Sequence, residues 1–391
     1  MKATCIGPFG LRIKGTTRAR LLPLARALVR KGWSAVAILP PWDSPQDSGK
    51  TWEDNGVVLR HIRLPVKAPL LYHLLVAWRL VRECLSHKPE LVHLFKPIGY
   101  PGLTAMMLWS LKRLGRFRGL LIVDADDWEG HGGWSDISAY PAHWRAFIPF
   151  QERWVLTHCD AVTVASRTLQ TLVWSLGVPP SKVFYLPNGV ELRGGSPQGS
   201  QLPGVLSGKA TVVLYTRFVE FAPERLWRIW KEVVSQVPEA HLVVIGRGFK
   251  GEESSLLEMA REDGLGSTLS CLGWKERDEA LRLLEEAKVA IWPSDDNLIN
   301  RAKCSAKLAE LASLGIPVVA EDVGENSLYV PAELLVKSGD VSEFARKVAA
   351  LLRDEAFRLE MGRKTRERVI PELTWDNLAE GFVKFISCYA G

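Results

Sequence analysis

Short apolar segments alternate along this chain with longer amphipathic segments. Buried strands of parallel sheets give short apolar runs, whereas amphipathic helices repeat their apolar residues every three or four positions. Strands are predicted at Lys2–Ile6, Ser34–Leu39, Val57–Ile62, Leu91–Phe95, Leu120–Asp124, Ala161–Val164, Lys182–Leu186, Thr211–Tyr215, His241–Ile245, Thr268–Leu272, Lys288–Trp292, Ile316–Ala320 and Glu333–Val336. Helical segments separate most of these strands, so the pattern predicts an α/β protein built on parallel sheets.

The same rhythm of strands and helices occurs in both halves of the sequence. A chain of 391 residues is too long for one ordinary hydrophobic core. Residues 193–208 are rich in Gly, Ser and Pro, which is typical of an interdomain linker. We therefore expect an N-terminal domain at 1–192, a linker at 193–208, a C-terminal domain at 209–372 and a final helical segment at 373–391.

Charge and cysteine content narrow the choice of function only slightly. A formal charge of +6 and a pI of about 8.9 are too small to indicate nucleic-acid binding. They are equally compatible with phosphate-bearing substrates and with an anionic membrane surface. The six cysteines are scattered without metal-site spacing. Neither a signal peptide nor an apolar run of about 18 residues is found, so we expect a cytoplasmic protein.

One candidate site lies in the segment 288–322, which is predicted to be strand, polar loop, helix and strand. The polar loop, Ser294–Lys303, includes Asn300 and feeds the N-terminus of a helix predicted at Ala306–Leu314. Main-chain N–H groups and the helix dipole at such a junction can bind an anion. Lys307 and Glu310 share one face of this helix. They are either an ordinary surface ion pair or part of a ligand site.

A second candidate site follows the strand at Leu120–Asp124. Four carboxylates and a histidine occur within the eight residues from Asp124 to His131. Ligands of open α/β sheets bind at this edge, beyond the carboxyl ends of the strands. The segment is therefore a ligand or catalytic loop, a metal site or a solvated loop in which Asp127 caps a turn. The metal ligands would be Asp126, Asp127, Glu129 and His131.

The loop after the first strand carries Gly10 and Gly15 before a helix predicted at Thr17–Arg30. It lacks the G-x-G-x-x-G fingerprint of dinucleotide-binding proteins. Its glycines either let the backbone approach a ligand closely or simply form the turn.

Several segments, taken in their order, resemble glycosyltransferase family 4 of the GT-B fold, also described as glycosyl transferases group 1. The segments that carry the resemblance are Gly10–Arg30, Tyr185–Leu192, Leu214–Phe218, Val243–Gly248, 288–322 and Thr374–Phe382. The resemblance covers nearly the whole chain. It implies two Rossmann-like, doubly wound α/β domains that face each other across a cleft, with a C-terminal helix that crosses back to the N-terminal domain.

The resemblance also implies a donor site. Glu310 matches the second glutamate of the family's motif, which binds the nucleotide ribose, and Arg217 matches the basic residue that holds the diphosphate. Ala302 stands at the position of the first glutamate, and the diphosphate lysine falls near Ala222. Arg225 or Lys307 would replace that lysine, because Ser305, Lys307 and Glu310 fit the Ser-x-Lys-x-x-Glu pattern of some members. The remaining donor-side candidates are Gly10, Gly15, Gly246 and Asn300.

On the acceptor side, Asp126 matches the family's N-domain histidine. We expect Asp126 and Asp127 to act with Arg217 and Lys307 in catalysis, and Asp126, Glu129 and His131 to contact the acceptor. The expected reaction moves a sugar from a nucleotide sugar to a glycan, lipid-linked or small-molecule acceptor, with retention and without metal or cofactor. The alternatives are a catalytically silent GT-B partner protein and a nucleotide-sugar epimerase.

The helix predicted at Leu70–Ser86, the mild positive charge and the 15 Trp residues bear on location. They either allow peripheral contact with the inner membrane face or only pack the fold.

Overall fold

The computed structural model describes residues 1–13, 15–66, 71–192 and 210–389. The predicted linker at 193–208 lies outside these residues. The chain divides into two units. The first comprises Met1–Glu191, Ala302–Cys304 and Thr374–Gly391, and the second comprises Leu192–Arg301 and Ser305–Leu373. The short segment Ala302–Cys304 thus groups with the first unit, whereas the sequence pattern assigned it to the C-terminal domain.

The first unit is built on an eight-stranded sheet. Its strands are β1 (Lys2–Ile6), β2 (Ser34–Leu39), β3 (Thr51–Asp54), β4 (Val57–His61), β5 (Leu91–Phe95), β6 (Leu120–Ala125), β7 (Ala161–Val164) and β8 (Val183–Tyr185). Their order is β3-β4-β2-β1-β5-β6-β7-β8, and every pair is parallel except the antiparallel pair β3–β4. The chain runs outward from β1 in one direction and from β5 in the other. The topological switch point, where α/β sheets bind ligands, therefore lies between β1 and β5.

Strand β3 was not predicted, because its sequence Thr51–Asp54 is largely polar. It lies at the edge of the sheet, where only one side needs pairing. The turn that joins it to β4 consists of Asn55 and Gly56, both with positive φ (51° and 80°). Asn-Gly is the favoured pair for a two-residue hairpin turn of this kind.

Helices connect most of the strands of this sheet. They are a π-helical turn at Thr17–Leu21, then α1 (Leu22–Arg30), α2 (Tyr72–Ser86), α3 (Gly99–Arg113), α4 (Trp134–Ile137), α5 (Ala142–His158) and α6 (Arg167–Ser175). Ser166 caps α6 as its sequence indicates, since its hydroxyl accepts the Leu169 N–H at 3.0 Å. The π-helical turn continues directly into α1, so the predicted helix at Thr17–Arg30 contains two kinds of helical hydrogen bonding.

The second unit contains a six-stranded, entirely parallel sheet. Its strands are β9 (Ala210–Tyr215), β10 (Ala240–Ile245), β11 (Leu269–Cys271), β12 (Val289–Trp292), β13 (Val318–Glu321) and β14 (Leu335–Val336). The order β11-β10-β9-β12-β13-β14 places the switch point between β9 and β12. The strand predicted at Glu333–Val336 is shorter than expected, because its first part forms a 3₁₀ turn at Ala332–Leu334.

The helices of the second half complete this unit. They are α7 (Pro223–Gln236), α8 (Glu252–Glu262), α9 (Arg277–Glu285), α10 (Leu298–Ala302), α11 (Ala306–Ser313), α12 (Asn326–Tyr329), α13 (Val341–Arg353) and α14 (Glu355–Glu367). Helix α10 corrects the sequence analysis, which treated Ser294–Lys303 as loop throughout. Among the described residues, no helix is both long and apolar enough to span a membrane.

The last helix, α15 (Trp375–Ser387), belongs to the first unit. Trp375 and Phe382 are buried in the same core as Leu24 and Leu28 of α1. The ring of Phe382 stacks on His93 of β5 with centroids 5.2 Å apart. Thr374 caps the helix, and the Trp375 N–H donates to the Val190 carbonyl at 3.0 Å. The fold therefore consists of two α/β units with largely parallel sheets. The C-terminal helix completes the first unit.

Candidate active site

The first group of candidate residues lies at the carboxyl end of β9, beside the switch point of the second unit. Glu310 on α11 accepts a hydrogen bond from Arg277 Nε on α9 at 2.7 Å, and its side chain is mostly buried. Lys307 on the same helix places its ammonium 4.4 Å from the centroid of the Tyr215 ring, which is cation–π distance. Burial, followed by the charge of Glu310, raises the pKa of the Tyr215 hydroxyl. Lys307 and Glu310 thus both belong to a cluster around Tyr215.

Arg217 lies two residues after Tyr215 in the sequence and is exposed. Its guanidinium carbon lies 5.1 Å from the centroid of the Phe249 ring. The next residue, Phe218, adopts φ +59°, and its N–H donates to the Thr216 hydroxyl at 2.8 Å. Among the residues that the structure describes, no carboxylate forms an ion pair with Arg217. Its charge is therefore available to an anionic ligand.

Gly246 holds the strand ends of this region together. It adopts φ +135°, and a Cβ atom there would overlap the carbonyl oxygen of Thr216. Its N–H donates to the carbonyl of Gly273 at 2.8 Å. Only glycine can occupy this position, because any side chain would push apart the ends of β9 and β10.

Three further donor-side candidates have structural partners. Ser305 caps α11 by accepting the Leu308 N–H at 3.3 Å. The Asn300 amide donates to the carbonyls of Glu220 (2.7 Å) and Asp295 (2.9 Å). The Arg225 guanidinium makes two hydrogen bonds to the buried carboxylate of Glu321 and lies 3.0 Å from Asp295. Asn300 and Arg225 thus hold the loop after β12 in place, which differs from the phosphate contact expected of Arg225.

The second group of candidates surrounds a lysine that the sequence analysis did not single out. Lys96 directly follows β5, and its ammonium lies 3.0 Å from Asp126, 3.1 Å from Asp127 and 2.5 Å from Glu129. Burial acts to lower its pKa, but the three carboxylates outweigh this effect and hold the pKa well above its usual range. The sequence signal for Lys96 was its place directly after β5, the strand that pairs with β6 in the sheet.

A lysine ammonium therefore occupies the place between these carboxylates that the metal interpretation gave to an ion. Within the described ranges, no group of three or more His, Cys, Asp or Glu residues has the geometry of a metal site. His131 is exposed, and it contributes its main-chain carbonyl to Trp128 Nε1 at 2.8 Å. The structure does not bring its ring into the carboxylate group.

Asp126 and Asp127 have opposite pKa shifts although they are adjacent. Burial raises the pKa of Asp126, whose Oδ2 accepts the Thr16 hydroxyl at 2.5 Å. Burial also acts to raise the pKa of Asp127, but Lys96 and then Lys303 outweigh it, so this pKa is lowered. Neighbouring groups with separated pKa values are characteristic of sites that handle protons or hydroxyl groups.

A buried ion pair between Arg20 and Asp124 holds the strand end from which the acidic loop begins. Arg20, in the π-helical turn, donates to both oxygens of Asp124 at 2.9 and 2.6 Å, and to Asn188 Oδ1 at 3.1 Å. Thr163 donates to the same carboxylate at 2.6 Å. Burial acts to raise the pKa of Asp124, but the Arg20 guanidinium outweighs it, so the pKa is lowered. The pair fixes the end of β6, from which Asp126 follows.

Main-chain N–H groups of the loop between β1 and the π-helical turn bind a carboxylate of the same chain. The N–H groups of Gly10, Arg12 and Ile13 donate to the Asp43 carboxylate at 2.7, 3.0 and 3.0 Å. A Cβ at Gly10 would lie 2.6 Å from Asp43 Oδ1. A Cβ at Gly15 would lie 3.1 Å from the Phe9 ring. The glycine loop is thus shaped to bind an anion, and in this structure that anion is a side chain.

Two α/β units built on largely parallel sheets, each with a polar cluster at its switch point, match the architecture of the GT-B class, and comparisons with known proteins show the family. Residues 15–189 match the family model "Glycosyl transferase 4-like domain", and residues 210–354 match "Glycosyl transferases group 1". Together the two models span most of the sequence. The chain therefore belongs to the group 1 glycosyltransferases, with a 4-like N-terminal domain.

Solved structures show the same fold. Sucrose-phosphate synthase from Thermosynechococcus elongatus is 17% identical and matches with a TM-score of 0.72 over 100% of both chains. HepE from Anabaena, in complex with UDP-glucose, is 13% identical and matches with a TM-score of 0.70 over 99% of both chains. At these identities the likeness concerns the fold alone.

One curated relative matches only part of this chain. It is an exopolysaccharide phosphotransferase of Streptomyces coelicolor, 27% identical over 214 residues. The match covers 53% of this chain but only 21% of that protein. This chain thus spans about a fifth of the relative's length.

Proposed function

We propose that this glycosyltransferase uses a nucleotide-sugar donor, which binds at the Tyr215 cluster of the second unit. The observation that carries the proposal is the arrangement of Arg217, Lys307 and Glu310 around the end of β9. Two cations and one carboxylate at a switch point suit a ligand that contains both a diphosphate and a ribose. HepE, which shares the fold, was solved with UDP-glucose, and this supports the same class of donor here.

Glu310 would accept hydrogen bonds from the ribose hydroxyls. Arg277 uses Oε1 of this carboxylate, while Oε2 forms no hydrogen bond within the described parts of the chain. Arg277 would therefore orient the carboxylate and leave one oxygen for the ribose. The half-buried Tyr215 ring would form the floor of this subsite.

Arg217 and Lys307 would stabilise the departing diphosphate. In the transfer, a bond forms between the acceptor oxygen and the anomeric carbon. The bond from that carbon to the phosphate oxygen breaks with its electron pair going to the diphosphate, which also accepts the proton of the acceptor hydroxyl. Negative charge develops on the leaving group, and preorganised cations lower this barrier. A guanidinium can bind two phosphate oxygens at once, and the Lys307 ammonium adds a point charge. Retention and independence of metal ions are included because the resemblance to family 4 implies them.

The acceptor hydroxyl would bind at Asp126, Asp127 and Glu129. Carboxylate oxygens accept hydrogen bonds from hydroxyl groups, which suits a glycan, a lipid-linked sugar or a small polyol. We extend the proposal to peripheral membrane contact through α2, where Leu74 (47%) and Trp78 (50%) are half exposed. Trp and Leu on one face of a helix are typical of interfacial membrane contact.

A donor screen tests the proposal. UDP, GDP, ADP and their sugar conjugates would be added to the full chain, and the melting temperature followed. A ligand at a hundredfold excess over its Kd raises stability by about 2.7 kcal/mol. Nucleotide release on addition of sugar acceptors would then identify transfer. Conversion of the donor without any acceptor would instead indicate an epimerase.

Variants locate the donor site. Arg217→Ala and Lys307→Ala should each lower turnover about 10²–10³-fold, the usual effect of removing one charge-stabilising donor. Glu310→Gln should weaken nucleotide binding. Arg346→Ala is the control, because it removes an exposed arginine of the same unit that pairs only with Glu343 among the described residues. Unchanged binding and turnover in the Arg217 and Glu310 variants would disprove the assignment.

A further inference from the structure

Lys96 joins both ends of the acidic loop to the neighbouring strand. Its main-chain N–H donates to the carbonyl of Asp124 at 3.0 Å. Its ammonium reaches Asp126, Asp127 and Glu129 further along the same loop. The residue adopts φ +82°, a backbone conformation that is unfavourable for residues other than glycine. A strained backbone is retained where surrounding contacts require it, so the position of Lys96 is strongly determined.

The carboxylates depend on this ammonium. The side chains of Asp126 and Glu129 are 10% and 7% exposed, and that of Lys96 is 16% exposed. Asp126 Oδ1 is buried and makes no hydrogen bond among the described residues; Lys96, 3.0 Å away, is its ion-pair partner. Carboxylates brought this close repel one another unless a cation lies between them. Without Lys96 they would separate, take up protons or bind another cation.

We propose that Lys96 is a resident cation that positions the acceptor loop, in the place where other carboxylate clusters hold a divalent metal. It is a positioning residue, because it acts on the acceptor through Asp126 and its neighbours. The proposal rests on the proposed function for the identity of the acceptor site. The place of the cation itself rests on the geometry of the four side chains.

The geometry makes an unusual prediction for a lysine variant. In the unchanged protein, each of the three carboxylates lies within 3.1 Å of the Lys96 ammonium nitrogen. Lys96→Ala removes this ammonium and leaves the three carboxylates around an empty space. Oxygen ligands of this kind suit hard divalent cations such as Mn²⁺. The variant should therefore gain a metal site at these three carboxylates.

The first measurement needs no enzymatic activity. Mn²⁺ is titrated into the full chain, and bound ion is read by electron paramagnetic resonance. Lys96→Ala should bind one Mn²⁺ at least tenfold more tightly than the unchanged protein, and Lys96→Ala combined with Asp127→Asn should lose that gain. Lys112→Ala is the matched control, because Lys112 also pairs with a carboxylate, Asp160, at 2.5 Å. No gain of Mn²⁺ binding in Lys96→Ala would overturn the proposal.

The second measurement separates positioning from a general loss of structure. Lys96→Ala should lower kcat and raise the acceptor KM at least tenfold, leave the donor KM unchanged and regain turnover when Mn²⁺ is added. Lys96→Arg should retain more activity than Lys96→Ala. Equal kcat and acceptor KM in the alanine variant and the unchanged protein would contradict the role.

Folding failure is also informative. If Lys96→Ala and Lys96→Met do not fold, recovery on refolding with Mn²⁺ would support the proposal, and no recovery would overturn it. An unchanged protein that transfers no sugar would count against the proposed function, whereas the Mn²⁺ titration would still decide the role of Lys96.

Discussion

Gly10 and Asp43 lie far apart in the sequence, yet the N–H of Gly10 donates to Asp43 Oδ1 at 2.7 Å. Oδ2 of the same carboxylate accepts the N–H groups of Arg12 and Ile13. Consecutive main-chain N–H groups that converge on one point form an anion-binding concavity. Asp43 therefore supplies from within the chain the negative charge that this loop is shaped to bind.

Asp43→Ala should free this concavity. Hydrogen bonds to a charged group are worth about 1.5–3 kcal/mol, so the free energy of unfolding should fall by about that amount. Inorganic phosphate should restore part of the loss by binding the freed N–H groups. Urea unfolding with and without phosphate measures both effects. Asp47→Ala is the control, since Asp47 pairs with Lys50 on the surface; an equal response of both variants to phosphate would refute the prediction.

Gly246→Ala should destabilise the second unit. The φ of +135° is strained for alanine, and the added methyl group would overlap the carbonyl oxygen of Thr216. Strained backbone conformations cost on the order of 1–3 kcal/mol, and the overlap should add to this. Urea unfolding would show the loss. Gly266→Ala is the matched control, because a Cβ there has no neighbour within 4 Å among the described residues, and it should leave stability almost unchanged.

Glu152 should make stability depend on pH. Burial raises the pKa of this carboxyl from 4.5 to about 8. Between these values the folded protein keeps a proton that the unfolded chain has lost. The contribution of Glu152 to the free energy of unfolding should therefore be fully present below about pH 4.5 and be lost as the pH rises towards about 8.

Glu152→Gln isolates this effect, because glutamine keeps an acceptor for the Glu129 N–H but does not titrate. Urea unfolding between about pH 5 and about pH 8 should show the variant losing less stability than the unchanged protein. A difference between the two proteins that stays constant across this range would rule out the raised pKa.

Membrane contact through α2 can be tested with vesicles. The double change Leu74→Ser and Trp78→Ser removes two half-exposed apolar side chains. Full burial of such a side chain contributes about 1.5–3 kcal/mol, so binding to anionic vesicles should weaken more than about tenfold in cosedimentation. Leu359→Ser is the control, because Leu359 is 65% exposed in the second unit. If neither the unchanged protein nor the variants sediment with vesicles, α2 does not bind membranes.

The sequence pattern locates most strands because buried parallel strands are continuous apolar runs. It misses β3, since an edge strand such as Thr51–Asp54 needs no apolar run, although the Asn55–Gly56 turn was a usable signal. It also misses α10, because five residues are too few to show a helical period. Local patterns therefore predict the interior of each sheet better than its edges and loops.

The candidate site divides in the same way. The sequence indicates Asp126 as a candidate from its place after a strand, and Glu310 from its helix face and from the family resemblance. Lys96 and Arg277 were not found, because their importance depends on neighbours that lie far away in the sequence. Lys96 meets the acidic loop only because β5 pairs with β6 in the sheet. Such contacts follow from strand order, which a single sequence does not contain.

The place of α15 has a consequence for synthesis of the chain. Trp375 and Phe382 complete the core that begins with Leu24 and Leu28, although the residues of the second unit are made in between. Ribosomes add about 5–20 residues per second, so the apolar surface beneath this helix waits on the order of tens of seconds for its cover. The first unit is thus completed only after the second unit has been made, and until then this apolar surface lacks its cover.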